Sequence, residues 1–323
     1  MPFLVLRAQE IERCLPMAAC IEVMAEALAG LSRGELDQPL RTAWRPAHAP
    51  GFLVWMPARR GGPRAAFGVK QLCIVPDNPS RGLDAHQGAV LLFDGLTGVL
   101  DAVLDASTVT AIRTAAVSAV ATRALARPDA AELALVGTGI QAARHLEALR
   151  LVRPIRRVRV AGRTPERARA FAARHGPGVV AADSAEEAVR GADIVVLATS
   201  AREPVIDRRW LAPGAHVNAV GASQPSSREL DAETMAACAL FVDRRQSLEA
   251  EAGEWQDGMR RGLFGPEHVR AELGEVLAGL GGRSSPEEIT LFRSLGLAAE
   301  DLAAAQAACE RARAEGVGTV VEW

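Results

Sequence analysis

The 323-residue chain contains no tyrosine, and aromatic side chains make up 4% of it. Oxidoreductase chemistry that depends on a tyrosine general acid is therefore excluded. Its five cysteines, Cys14, Cys20, Cys73, Cys238 and Cys309, are odd in number and form no CxxC pair. They suggest no zinc site, and read as reduced, mostly buried thiols of a cytoplasmic protein. The six histidines are scattered without ligand spacing, so no metal is expected. No apolar run approaches the ~18 residues of a membrane span. The start, Met1-Pro-Phe-Leu-Val-Leu-Arg7, lacks a basic leader and a longer apolar segment, so no signal peptide is expected. A net charge of −2 gives no broad electrostatic reason to expect a nucleic acid or an acidic membrane as partner.

What is present is the composition of an ordinary globular enzyme, 49% hydrophobic and 24% charged, long enough for two domains with separate cores. The stretch from Glu132 to Thr164 organises the second of them. A short apolar run, Leu133–Val136, is followed by Gly137-Thr138-Gly139-Ile140-Gln141-Ala142, then by the helical Ala143–Leu149 and a second β-rich run, Val158–Ala161. Strand, glycine turn, helix and strand within ~30 residues form a dinucleotide-binding βαβ unit. Gly137 permits the tight turn, Gly139 lets the backbone approach a pyrophosphate, and Ala142 allows close helix–strand packing. The helix N-terminus then offers free N–H groups to the phosphates. The competing reading is a tight turn in some other α/β domain.

The end of the second strand bears on which dinucleotide binds. An NAD site usually places Asp or Glu there for the ribose 2′-hydroxyl, but the sequence reads Ala161-Gly-Arg163-Thr164. A guanidinium and a hydroxyl suit a 2′-phosphate, so NADP(H) is favoured and NAD(H) is possible, with Arg163 then a solvated loop residue. The remaining cofactor contacts are expected from Thr114, Thr199, Ser200, Val220 and Gly221.

Along the chain, residues 8–34 read as helical, broken off at Gly30 and Gly34. Leu53–Met56, Ala66–Lys70, Gln71–Val75 and Ala89–Phe93 are strand candidates, and Asp94-Gly-Leu-Thr-Gly98 is a hairpin turn leading to Val99–Leu104,. This predicts an antiparallel sheet. Ser107 is expected to cap a long helix from Thr108 to about Ala126. Beyond the glycine turn come a helix at 184–189, strands at 194–197, 216–220 and 240–243, a helix at 267–280 and a last helix from about 299 to 314. The expected class is α/β: an α+β substrate and dimerisation domain over residues 1–120, and a Rossmann domain over 121–298.

Three cations stand in places where a bland surface role fits poorly. Lys70, the only lysine of the chain, ends the apolar run Ala66–Lys70. Arg113 lies in the apolar helix start Val109–Val117, and Arg41 follows Gln38-Pro-Leu40. A buried cation is costly unless it meets an anion, so each is either one side of an internal ion pair or part of a site for a carboxylate ligand. Asp231 follows the strand near 217–220, where loops border a Rossmann crevice. It is either a functional carboxylate or the N-cap of a helix from Ala232.

These segments resemble the ornithine cyclodeaminase/mu-crystallin family. The resemblance rests on Asp94-Gly-Leu-Thr-Gly98, Thr110-Ala-Ile-Arg113-Thr114, Gly137-Thr-Gly139-Ile-Gln141-Ala142, Val220-Gly-Ala222, Glu229-Leu-Asp231 and Asp243, in that order. It implies that Arg41, Lys70 and Arg113 hold the α-carboxylate of an amino or imino acid, and that Lys70 and Asp231 are catalytic, Asp231 as acid/base near the reacting nitrogen. It also implies a homodimer built through the first domain, to which the last helix and tail, residues 299–323, return. Family reactions share hydride transfer at a carbon bearing nitrogen. They include reduction of ketimines such as Δ1-pyrroline-2-carboxylate, redox-neutral cyclodeamination of ornithine, and alanine- or opine-type dehydrogenation; mu-crystallin-like members also serve as binding proteins. Ornithine-cyclising members tend to carry an acid two positions before a Met-Pro step. Here that position is Val54, before Met56-Pro57, which together with Arg163-Thr164 favours a reductase.

Overall fold

The computed structural model describes residues 2–322. Two compact units emerge, one formed by Met1–Arg113 with Leu297–Trp323 and the other by Thr114–Gly296. The division falls inside the helix Ala106–Leu125, a few residues before the expected 120/121.

In the first unit an eight-stranded sheet runs Thr319–Val321, Phe3–Leu6, Leu100–Asp105, His86–Asp94, Ala66–Ile74, Phe52–Arg60 and Leu36–Asp37, with Thr42–Trp44 also on Phe52–Arg60. It is mixed where an antiparallel sheet was expected, because Phe3–Leu6 pairs parallel with Leu100–Asp105. Residues 66–74 form one strand, not two. Alternation carries through the polar pair, Lys70 facing the buried side with Ala66, Gly68 and Leu72 while Gln71 points the other way,. The predicted helix over 8–34 is two, Ala8–Cys14 and Met17–Ser32, bent by 78°; Pro16 lacks the N–H that a continuous helix would need. At the hairpin, Asp94 Oδ1 accepts from the Leu96 and Thr97 amides, and Gly98 takes φ 71°. The Ala-rich helix Ala298–Glu315 packs across this sheet and against Met17–Ser32.

The second unit is a parallel sheet of eight strands in the order Val179–Ala181, Arg157–Ala161, Glu132–Val136, Ile194–Leu197, His216–Ala219, Thr290–Arg293, Ala239–Val242 and Val269–Glu272. All seven pairings are parallel. Its central strands Ile194–Leu197, His216–Ala219 and Thr290–Arg293 are buried at every position, as in a parallel sheet covered on both faces,. The first five strands lie in Rossmann order, 3-2-1-4-5, with the switch point between Glu132–Val136 and Ile194–Leu197.

Two local expectations are corrected. Asp105, not Ser107, caps the long helix: its Oδ1 accepts from the Thr108 amide at 2.8 Å, while the Ser107 hydroxyl donates to the His86 carbonyl. Residues 267–280 are not one helix but a short turn at Pro266–His268, the edge strand Val269–Glu272 and the helix Leu273–Leu277. Val269 and Ala271 alternate with exposed Arg270, the period of a strand,. Four of the five cysteines are buried, and none of the five is in a disulfide. Among the described residues, no single helix is long and apolar enough to cross a membrane.

Candidate functional site

The second unit carries a crevice suited to a dinucleotide. Gly137 takes φ 127°, and a Cβ there would stand 2.3 Å from the Ala198 carbonyl oxygen. Only glycine can make this turn against the neighbouring strand end. A Cβ added to Gly139 would meet nothing within 4 Å, which leaves room for close backbone approach. The helix Ile140–Val152 begins at Gly139 with no side-chain cap, so its first N–H groups are unclaimed by side chains and face an anion favourably. These features fit a bound pyrophosphate. Ile140 is exposed and Gln141 half-buried at this helix start, while Ala142 is fully buried.

Past the second strand, Thr164 precedes the helix Pro165–His175, which the sequence reading did not include. Arg163 is exposed, and its Nη2 lies 3.4 Å from Ser200 Oγ. Thr138 and Gly162 are in close approach, with 2.9 Å separating a Gly162 Cβ from the Thr138 methyl. The crevice rim thus groups Thr138, Arg163, Thr164 and Ser200. Thr114 is buried in the long helix.

Two adjacent strand ends are tied together by a residue that had no expected role of its own. Glu229, buried, accepts from the Thr199 amide at 2.6 Å and the Thr199 hydroxyl at 2.8 Å through Oε1, and from the Gly221 amide at 2.6 Å through Oε2. Burial pushes its pKa up, against these bonds and Arg293. Val220 continues the strand's ladder by donating to Leu197 O. Asp231 caps the helix Ala232–Ala236, its Oδ1 accepting from the Thr234 amide at 2.7 Å.

The first unit holds the cation cluster. Lys70 is the only lysine of the chain. Its Nζ lies 2.7 Å from Asp301 Oδ2 and 3.2 Å from Thr110 Oγ1. Arg113 donates through Nε to Asp301 Oδ1 at 2.8 Å and through Nη1 to Glu300 Oε2 at 2.7 Å. All four charged side chains are at least nine-tenths buried. Burial pulls the Lys70 pKa down to about 8, with Asp301 opposing and Arg113 and Arg41 assisting. Asp301 experiences an upward push from burial that Arg113 and Lys70 outweigh, leaving its pKa below the usual value. Arg41 is half-buried just before the strand Thr42–Trp44 and close enough to act on Lys70. Both Lys70 and Arg113 are therefore internally paired. The acids that pair them went unnoticed in the sequence because Glu300 and Asp301 stand in a helix first turn, where acids need no partner to be favourable.

Glycine turn, strand order and helix N-terminus define a dinucleotide-binding α/β protein with a second, mixed-sheet unit. Comparison with known proteins narrows this. The family model of the ornithine cyclodeaminase/mu-crystallin family matches residues 2–316, and the chain belongs to that family. It is 39% identical to the ketimine reductase mu-crystallin of Mus musculus over 93% of this chain and 95% of that one. To a Δ1-pyrroline-2-carboxylate reductase of Bacillus cereus it is 38% identical, over 99% of this chain and 100% of the other. The Thermococcus litoralis Δ1-pyrroline-2-carboxylate reductase, solved with NADH and L-proline, superposes with a TM-score of 0.94 at 37% identity, covering 98% of this chain and 99% of that one.

Proposed function

We propose that the protein is an NAD(P)H-dependent reductase of a 2-imino acid, with a cyclic ketimine such as Δ1-pyrroline-2-carboxylate as the substrate class and NADP(H) as the preferred cofactor. The observation that carries the reading is the charge of the Lys70 cluster. Lys70 and Arg113 are gathered in one buried place with Asp301 and Glu300 as their partners, and Arg41 is close enough to act on Lys70; the substrate carboxylate is assigned to these three cations. Pairing with Glu300 and Asp301 keeps the cations charged and oriented in a buried place, where an unpaired cation would be costly. The substrate carboxylate adds to their existing bonds and does not replace them.

When bound, the reduced nicotinamide supplies the hydride that the imine carbon accepts. The nitrogen must carry a positive charge for that carbon to be electrophilic. Asp231 is assigned to this nitrogen, as proton donor or as the anion that stabilises the iminium. Its cap bond uses Oδ1, and Oδ2 is the oxygen assigned to the substrate. Arg163, Thr164 and Ser200 are assigned to the 2′-phosphate, and a homodimer is the expected assembly. The relatives named above include ketimine and pyrroline-carboxylate reductases, which supports net reduction over cyclodeamination or alanine- and opine-type dehydrogenation. So does Val54, where cyclising members tend to have an acid.

The test is NADPH oxidation across cyclic and linear 2-imino acids, run beside ammonia release from ornithine. Rapid NADPH oxidation with a cyclic ketimine and no ammonia from ornithine supports the reading. Ammonia release without net cofactor consumption would replace it with cyclodeamination.

A further inference from the structure

We infer that Glu229 is a positioning residue of the dinucleotide crevice, its buried carboxylate locking the loop after Ile194–Leu197 to the loop after His216–Ala219. The inference rests on the cofactor-binding reading above and assigns a role to a residue that touches neither cofactor nor substrate in that reading.

The geometry is that of a shared acceptor. Thr199 gives Glu229 its amide and its hydroxyl, and Gly221 gives its amide. These donors come from the ends of adjacent parallel strands, registered Leu197 to Ala219, on the side where open α/β sheets bind ligands. The fit leaves no slack: a Cβ on Gly221 would stand 2.2 Å from the Thr199 carbonyl oxygen and 2.5 Å from Glu229 Oε1. Gly221 is thus glycine because Glu229 and Thr199 press against it.

A second buried charge grips the same loop from its carbonyls. Arg293 donates through Nη2 to Ala222 O at 2.7 Å and through Nη1 to Ala219 O at 3.3 Å, while its Nε pairs with buried Glu254. The loop 219–222 is therefore held at an amide by an anion and at two carbonyls by a cation. A buried charge is costly when poorly paired, and a hydrophobic residue would serve simple packing better. What two opposite charges add is a fixed orientation of peptide groups, the kind of preorganisation a cofactor pocket needs. Three converging donors require an acceptor-only group; burial raises the Glu229 pKa and Arg293 opposes that rise.

Glu229→Gln tests this, because the amide keeps the shape but must turn its NH2 toward a backbone N–H at Thr199 or Gly221. Three readouts are used: amide hydrogen exchange of the apo protein, NADPH affinity by fluorescence titration, and steady-state kinetics at saturating NADPH. We expect the Thr199 and Gly221 amides to exchange about tenfold faster, and NADPH Kd to rise about tenfold. We also expect kcat, counted per NADPH-binding site found in the titration, to fall with the imine KM nearly unchanged, a loss that an unfolded fraction would not give once the sites are counted. Exchange rates and Kd within about twofold of wild type would overturn the inference. Should Glu229→Gln not fold, Thr199→Val decides. It removes one donor and leaves the carboxylate, so in the apo protein, where no cofactor contact of Thr199 counts, the Gly221 amide should exchange about threefold faster, and unchanged exchange would overturn the inference. The titration needs no imine, so a wild type that binds NADPH but reduces none of the imines would sink the reductase reading alone. A wild type that binds neither NADPH nor NADH would overturn both.

Discussion

Lys70 Nζ lies 2.7 Å from Asp301 Oδ2, and both side chains are almost wholly buried. The ammonium is thus held by one acid in a place that disfavours its charge, which brings its pKa to about 8. Two consequences have opposite signs. If Lys70 helps to hold a substrate carboxylate, the cation is lost as pH rises through about 8, so imine KM should climb on the alkaline side. Stability moves the other way. Between about 8 and the ordinary 10.5 the unfolded chain binds a proton that the folded chain does not, so the Lys70 contribution to stability increases with pH there. Lys70→Arg keeps the charge throughout, and its KM profile should lose the alkaline limb. A wild-type KM independent of pH from 7 to ~9.5 would count against Lys70 as a carboxylate ligand.

Asp301 should matter more to the fold than to the cofactor. Asp301→Asn leaves Lys70 and Arg113 buried with one fewer anion, and breaking a buried pair in this way costs about 3–5 kcal/mol. Thermal unfolding should shift down by roughly 10 °C, with NADPH affinity of the folded variant unchanged. A shift below ~2 °C would mean that water or Glu300 compensates freely.

Much of this could be read in the sequence where a local rule had one solution. Gly137 stands in a turn that needs φ 127°, and the apolar run 194–197 is a strand with the bounds expected of it. The rest depended on distant pairings. Glu300 and Asp301 meet Arg113 across nearly two hundred residues, and no local pattern announces an acid on an Ala-rich helix as a buried partner. Glu229 sits two residues before Asp231 and looks like any loop acid until Thr199 and Gly221 are brought to it. The edge strand Val269–Glu272 was legible only as part of a longer helical-looking stretch, because its alternation spans just Val269, Arg270 and Ala271.

Arg163 reports on cofactor choice. It is exposed beside Ser200, where the strand end has no acid to favour a 2′-hydroxyl. NADPH should bind at least ~10-fold more tightly than NADH, about 1.4 kcal/mol and within the reach of one charge-assisted phosphate contact. Arg163→Ala should erase most of that difference by weakening NADPH while leaving NADH nearly alone. Equal dissociation constants in the wild type would remove the NADP(H) preference and leave either dinucleotide as the cofactor.

Asp231 can be separated into its two roles by substitution. As a cap, its Oδ1 accepts from the Thr234 amide, and losing a cap acceptor costs about 1 kcal/mol. As an acid/base group or electrostatic partner of the iminium, it must be a carboxylate, because an amide neither donates an acidic proton nor carries the charge. Asp231→Asn retains a side-chain oxygen that can still cap, so folding should be little disturbed. The same change removes the proton and the charge, and kcat for imine reduction at neutral pH should fall by roughly 10²-fold or more. Asp231→Ser, also a good cap, should match it in stability and in lost activity. NADPH affinity should be nearly constant in both variants, since the residue is assigned to the nitrogen of the substrate. A near-wild-type rate in folded Asp231→Asn would leave Asp231 as a helix cap alone and turn attention to water or Lys70 as the source of the proton.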